Sequence, residues 1–350
     1  MPRDLALPAA PKGRPAIPRD WQRPLLQLAC AGAGLLVLTA GDWAEMARQW
    51  WNASTYNHIL LIPPVLAWLV RLRWTELSRL SPSTWWPGLL WLGAGLLTWV
   101  AGTIADINLF AQAGAVVMLQ AAVMALLGPR VAYGLLFPLG YMLFLVPFGD
   151  EIVPALQLVT AHIAVALSHA SGVAAQLDGV LIATPGGLFK VAEACSGVKF
   201  LVAMVALGAL AAHLGFVSWK RRALFMAAAV VVPILANGVR AWGTIYIAQS
   251  QGVQFAAGFD HIVYGWIFFA LVMAALLGAA WRCFDRSPHD PLVDVPALLC
   301  NPWLARVVSY RMPGWAAVAA VLALAGGSAL LGDAIRLPDE AFLAAAAGQP

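Results

Sequence analysis

Three residues of different chemistry stand out in this chain: Cys195, Arg240 and His261. An ionised thiol is a nucleophile, and an imidazole titrating near ~6.5 takes up its proton and returns it to a leaving amine. A guanidinium holds an oxyanion or an acidic group by a forked contact. Together they form the set that acyl transfer requires: nucleophile, acid/base and electrostatic stabiliser. Each taken alone has a plainer reading. Cys195 reads as a small buried thiol packed against a neighbouring helix. Arg240 reads as a side chain snorkelling to headgroups or pairing with Asp260, and His261 as part of an interfacial aromatic belt with Tyr264 and Trp266. Their neighbours tip the balance. Asn237 and Arg240 are three apart and share a helical face. Cys195 opens a helix whose dipole favours the thiolate; Lys199, one turn on, adds positive potential, and Glu193 acts the other way. Asp260 can orient His261, and Tyr264 lies on the histidine's face.

These residues matter because the chain around them is so apolar. Of 350 residues 61% are hydrophobic and only 11% charged, with a mean hydropathy of +0.78. A soluble domain is about 45–50% apolar and about 25% charged, so the composition excludes a soluble enzyme, a nucleic-acid binder and a disordered scaffold. The charge-free runs are 25–41, 88–105, 107–129, 131–149, 200–219, 223–239, 241–259, 262–281 and 312–332. About 20 such residues make a helix that crosses a bilayer. The expected architecture is all-α, a polytopic membrane bundle of about 8–10 spans.

The elements that must position the three residues follow from the charges. With the Pro- and Lys/Arg-rich tail 1–24 inside and disordered, nine spans alternate across the bilayer: 25–41, 59–70, 88–105, 107–129, 131–149, 195–216, 223–249, 262–281 and 314–332. The map leaves Arg48, Lys190, Lys199, Arg240 and Arg336 outside and the other 16 of 21 basic residues inside, as the positive-inside rule asks. The net charge of +4 is thereby a topology signal, not the mark of a nucleic-acid partner. Segment 152–193 then has both ends outside and is expected to be re-entrant or interfacial. Within it, extended stretches 180–183 and 188–191 flank a turn at Thr184-Pro185-Gly186-Gly187. Irregular backbone at membrane depth needs burial in protein or access to water, so this segment is a candidate cavity wall. Cys195, Arg240 and His261 fall at the outer face on three consecutive helices.

Other chemistries lack their residues. Cys30 sits in the first span, and Cys283 and Cys300 in an inner loop, so Cys195 has no partner for an external disulfide. His58, His162, His169, His213 and His289 lack ligand spacing, and no Walker, Gly-x-Gly-x-x-Gly or His-Glu-x-x-His motif occurs. Neither a metal nor a cofactor is expected. A non-enzymatic alternative stays open: a transporter or polysaccharide-export component holding an anionic solute on Arg240. It predicts that Cys195 is dispensable and that Arg240→Lys retains partial activity.

Three blocks resemble the signature of the exosortases: Glu193-Ala-Cys195-Ser-Gly197, Ala236-Asn237-Gly-Val-Arg240 and Asp260-His261-Ile-Val-Tyr264-Gly265-Trp266. The last resembles the exosortase A type. Tyr56-Asn57-His58-Ile59 with Leu61-Ile62-Pro63 extends the likeness to roughly 50–285. The resemblance implies a membrane cysteine peptidase or transpeptidase of the bacterial inner membrane. Its partners would be membrane-anchored proteins with a C-terminal sorting tail: a Pro-Glu-Pro motif, a hydrophobic span and a basic end. It implies that Cys195 is the nucleophile, Arg240 the essential arginine and His261 the third catalytic residue. The expected organisation is then 25–285 as the catalytic membrane region, 286–313 as a cytoplasmic loop, 314–332 as a further span and 333–350 as a short extracytoplasmic tail.

Overall fold

A computed structural model of the chain describes residues 17–252, 267–287 and 290–347. Its apolar runs are helices, the one local structure in which a segment bonds all its own peptide groups without water. Helix α1 (Arg19–Leu38) turns by 79° into α2 (Ala40–Asn52). At the bend the buried Thr39 hydroxyl donates to the Leu35 carbonyl at 2.8 Å, competing with the helical ladder. A 3-10 turn (Asn57–Leu61) leads to α3 (Ile62–Leu72) and the short α4 (Trp74–Leu77). Next come α5 (Gly88–Ile104), α6 (Asn108–Gly134) and α7 (Leu136–Tyr141), which runs into the 3-10 turn Met142–Leu145. Helix α8 (Val153–Ala170) precedes a meander of β1 (Gln176–Asp178), β2 (Leu181–Thr184) and β3 (Gly187–Lys190). Helices α9 (Val198–Gly215), α10 (Trp219–Gln251), α11 (Phe269–Trp281), α12 (Val295–Cys300), α13 (Pro302–Val307) and α14 (Gly314–Ala347) complete the chain.

The fold is the expected all-α membrane bundle. Among the described residues five helices are long and apolar enough to cross a bilayer, or six if the bent α1–α2 pair is one span. Expected spans 59–70 and 88–105 correspond to helices of only 11 and 17 residues, and 262–281 is described only from 267 onward. The tail ends earlier than expected, because α1 already begins at Arg19 and anchors Trp21, whose indole donates to the Leu80 carbonyl at 2.9 Å. At the other end, 333–347 continues α14 instead of forming a separate tail.

The run 131–149 is not one span. Gly128 (φ +83°) and Pro129 kink α6, and the run then breaks repeatedly before Gly149 at φ +136°. Charge counting sees an unbroken apolar run there, whereas the backbone obeys its prolines and glycines. The path nonetheless has one direction, read along α9. Phe137 stacks on His213 at 3.7 Å, the Tyr141 hydroxyl donates to the Ala206 carbonyl at 3.2 Å, and Gly149 abuts Val198 and Val202. Helix α8 continues past the start of α9 alongside α10, with Thr160 against Asn237, Ile163 against Gly238 and Ser171 against Trp242. Residues 136–170 are therefore one broken transit of the bundle, and Asp150–Ala170 within it is itself long and apolar enough to cross a bilayer, in place of the expected re-entrant or interfacial segment. The turn expected at 184–187 is present, joining β2 to β3 with Thr184 opposite Gly187.

Glycines set the closest helix contact. A Cβ at Gly102 would lie 2.3 Å from the Ala111 nitrogen and one at Gly114 2.5 Å from the Trp99 nitrogen, so α5 and α6 meet backbone to backbone. At the basic end of α10, Asp285 accepts backbone N–H bonds from Val217 at 2.6 Å and Ser218 at 3.4 Å, with Arg221 at 3.6 Å. Those contacts, the Val217 bond foremost, hold its carboxyl below the usual range.

Candidate active site

The site is built where the start of α9 meets the middle of α8 and α10. Cys195 closes the 3-10 turn Glu193–Cys195, its own N–H donating to the Ala192 carbonyl at 2.9 Å. The thiol therefore sits just ahead of the helix, not within it. Gly197 follows as the residue capping α9, at φ +84°. A Cβ there would lie 2.6 Å from the Asn237 side chain, so both the backbone conformation and the space require glycine.

Asn237 ties the turn in place. Its side-chain nitrogen donates to the Cys195 carbonyl at 2.9 Å and to the Thr160 hydroxyl at 3.0 Å, and that hydroxyl reaches the Ser196 carbonyl at 3.4 Å. Asn237 is 2% exposed and Thr160 1%, so these bonds are made out of water, where losing a partner is most costly. The Asn237 side-chain oxygen Oδ1 is buried without a hydrogen-bond partner among the described residues. Gly238 lets α10 approach α8, since a Cβ there would lie 2.4 Å from Ile163. Gln157 donates to the Val191 carbonyl at 2.7 Å and fixes the strand leading into the turn.

Cys195, Asn237 and Arg240 line one pocket of about 80 Å³, with Ile182, Phe189 and Lys190 of the meander forming its roof. Arg240 is 9% exposed and lies one turn beyond Asn237. Gln249, further along α10, docks the meander: it accepts the Gly186 N–H at 2.9 Å and donates to the Thr184 hydroxyl at 3.1 Å. The arrangement places a half-buried free thiol beside a buried guanidinium under a small roof, a setting for attack on a carbonyl whose oxygen gains negative charge.

The other expected residues divide. Lys199 stands over the Phe200 ring at 5.2 Å and within electrostatic reach of Arg240, outside the pocket lining. Glu193 is exposed, and while its backbone carbonyl accepts the Ser196 N–H at 3.0 Å, its side chain makes no hydrogen bond or ion pair among the described residues. Asp260, His261 and Tyr264 lie outside the described residues. Among the described residues no three His, Cys, Asp or Glu side chains come together as a metal-binding group. Sequence reasoning missed Thr160, Gly197 and Lys190 as parts of the site. Thr160 is noticeable as a polar residue in an apolar helix, and Gly197 as the glycine of the cysteine block, but nothing in sequence spacing aims them at Asn237.

The block at Tyr56 plays a different part. Tyr56 and Ile59 pack with Trp50, Tyr141 and Leu145, and the Trp50 indole donates to the Leu145 carbonyl at 3.0 Å. These residues buttress the broken segment below the site and do not line the pocket.

No curated protein and no solved structure matches this chain. A protein-family model described as transmembrane exosortase (Exosortase_EpsH) matches residues 50–278, beginning at that buttress and running through α9, α10 and most of α11. The chain belongs to the transmembrane exosortase family.

Proposed function

We propose that the protein is a membrane-embedded cysteine peptidase or transpeptidase acting on exported proteins that carry a C-terminal sorting tail. The observation that carries this reading is the shared pocket of Cys195 and Arg240, on turn and helix locked together by Asn237. The Cys195 Sγ, as thiolate, attacks the scissile carbonyl carbon and forms a C–S bond. Arg240 stabilises the resulting oxyanion or holds an acidic side chain of the tail motif. His261 takes the thiol proton and delivers it to the leaving amine as the C–N bond breaks. The thioester is then resolved by water or by an acceptor amine, which restores the thiol. Asn237 acts through position, fixing the Cys195 carbonyl and hence the turn. Glu193, Lys199, Asp260 and Tyr264 have supporting roles in this reading.

A pocket of about 80 Å³ admits the reacting groups of a larger molecule, not an entire solute, since sites that enclose small ligands run to about 300–1,000 Å³. This supports peptide attack over solute carriage. The proposed orientation places the Lys220-Arg221-Arg222 end in the cytoplasm of a bacterial inner membrane and the thiol pocket at the periplasmic face. The test is processing of a tail-bearing substrate by purified protein. Cys195→Ala is expected to abolish cleavage, and wild-type protein is expected to yield a hydroxylamine-sensitive thioester. Cleavage by Cys195→Ala at the wild-type rate would sink the assignment.

A further inference from the structure

We propose that the cavity between α3, α7 and the α9–α10 turn binds a phosphate group, carried by a membrane lipid whose acyl chain lies along α7. The cavity is about 450 Å³ and is distant from the thiol pocket, at the opposite end of α9. Its polar end is formed by Arg73, His213 and Arg222, and its apolar end by Phe137, Tyr141 and Phe144.

Arg73 is 1% exposed, one of the most deeply buried large side chains in the protein. One arm of its guanidinium donates to the Leu69 carbonyl at 2.8 Å and the other contacts His213 Nε2. A guanidinium only donates, so that nitrogen is an acceptor and the imidazole is neutral. The ring's face is stacked on Phe137. Arg222 spends its Nε on the Phe216 carbonyl at 2.8 Å. Arg286 lies close by, acting on both Arg73 and His213, and its Nε is buried without a hydrogen-bond partner.

None of these three arginines has a carboxylate at ion-pair distance among the described residues. Three of the acids at this end are engaged elsewhere. Asp285 takes the Val217 and Ser218 N–H groups and Arg221, Asp290 takes the Ser287 N–H at 2.8 Å, and Asp294 caps α12 at the Ala297 N–H at 3.0 Å. Glu76 is near enough for Arg73 to feel its charge, and Asp285 for Arg222, but Glu76 lines an adjoining groove together with Arg286, and no carboxylate lines the cavity itself. Burying cationic groups is costly unless they are well paired, and a cavity bounded by two arginines and a histidine, with no carboxylate in its lining, supplies the place for an anion.

The shape selects the anion's carrier. From His213 the rings of Phe137, Tyr141 and Phe144 follow one another at centroid spacings of 3.7, 5.5 and 5.1 Å, leading away from the charges along the broken transit. Free phosphate would use only the charged end. A phospholipid fills both, with its headgroup on the arginines and a chain on the rings.

The test follows thermal unfolding of the full-length protein in neutral detergent by tryptophan fluorescence. Three probes are titrated: dioctanoyl phosphatidylglycerol, dioctanoylglycerol, which lacks the phosphate, and inorganic phosphate, which lacks the chains. The expected result is a saturable rise in Tm with phosphatidylglycerol at concentrations where the other two produce none. Arg222→Gln and Arg286→Gln, both at partly exposed positions, are expected to raise the half-saturating concentration about ten-fold or more, and the exposed Lys220→Gln to leave it unchanged. Arg73→Gln is avoided as sole evidence because its burial risks the fold. An equal response to dioctanoylglycerol, an equal response to inorganic phosphate, or wild-type affinity in both arginine variants would each overturn the proposal.

Discussion

Helix pairs α5–α6 and α8–α10 both depend on glycine for close approach, yet close packing dominates the first and buried polar bonds the second. Between α5 and α6 the contact is backbone on backbone at Gly102 and Gly114, within a core of Leu92, Leu96, Met118 and Leu126, with one side-chain bond across it, from the Trp91 indole to Gln120 at 3.3 Å. Between α8 and α10, Gly238 brings the helices together, but Asn237, Thr160 and the Cys195 carbonyl bond across the gap. Close packing fixes a distance and by itself tolerates a slide along the helix. Directional bonds fix register as well, and a nucleophile needs register. Thr160, Ser196, Asn237 and Arg240, all buried and polar, gather where position matters chemically.

That contrast can be broken at chosen points. Cys195→Ala should lower the rate of tail processing by at least about 10³-fold, with the unfolding transition in detergent unmoved. Gly114→Leu should lower stability by about 3 kcal/mol by forcing α5 from α6, while the fraction still folded processes substrate at the wild-type rate. Arg240→Lys should reduce kcat/KM by about 10²-fold, because a point charge replaces a forked donor. Asn237→Leu should cost about 2 kcal/mol through the lost cross-helix bonds, and unlike Gly114→Leu it should slow thiol alkylation or processing even in folded protein. Gln249→Ala, which frees the meander from α10, should cost about 1 kcal/mol and act mainly on KM. If Asn237→Leu and Gly114→Leu gave the same pattern, the distinction between register and distance would fail.

Part of this was legible without coordinates. An arginine in an uncharged stretch and a cysteine at the start of a helix are conspicuous by type, and the structure brings Cys195, Asn237 and Arg240 to one pocket. The Pro185-Gly186-Gly187 turn announces itself because those residues fit few other conformations. The broken transit was not legible. Charge counting assigns sides and not depth, and the apolar residues of 131–149 look alike whether they form one helix or several pieces. Nor did spacing reveal Thr160, 36 residues from its acceptor at Ser196, since a hydroxyl in an apolar helix usually bonds its own backbone. Glu193 shows the converse. Two residues from the thiol in sequence, it is exposed, and its carboxylate has no ionic or hydrogen-bonding partner among the described residues.

Helix α10 has 33 residues and so measures about 50 Å, longer than a bilayer's hydrocarbon core is thick. Arg222 near its start, Asn237 and Arg240 in its middle and Gln249 near its end are stations on a single rod. Mechanically it is a lever: a tilt at the basic cavity is transmitted to the thiol turn and to the meander roof. Pro233, which leaves the Ala229 carbonyl without its helical donor, is the one place between Arg222 and Arg240 where a proline lets the rod yield. The stiffness that aligns the pocket also ties its geometry to the angle at which this helix sits in the membrane.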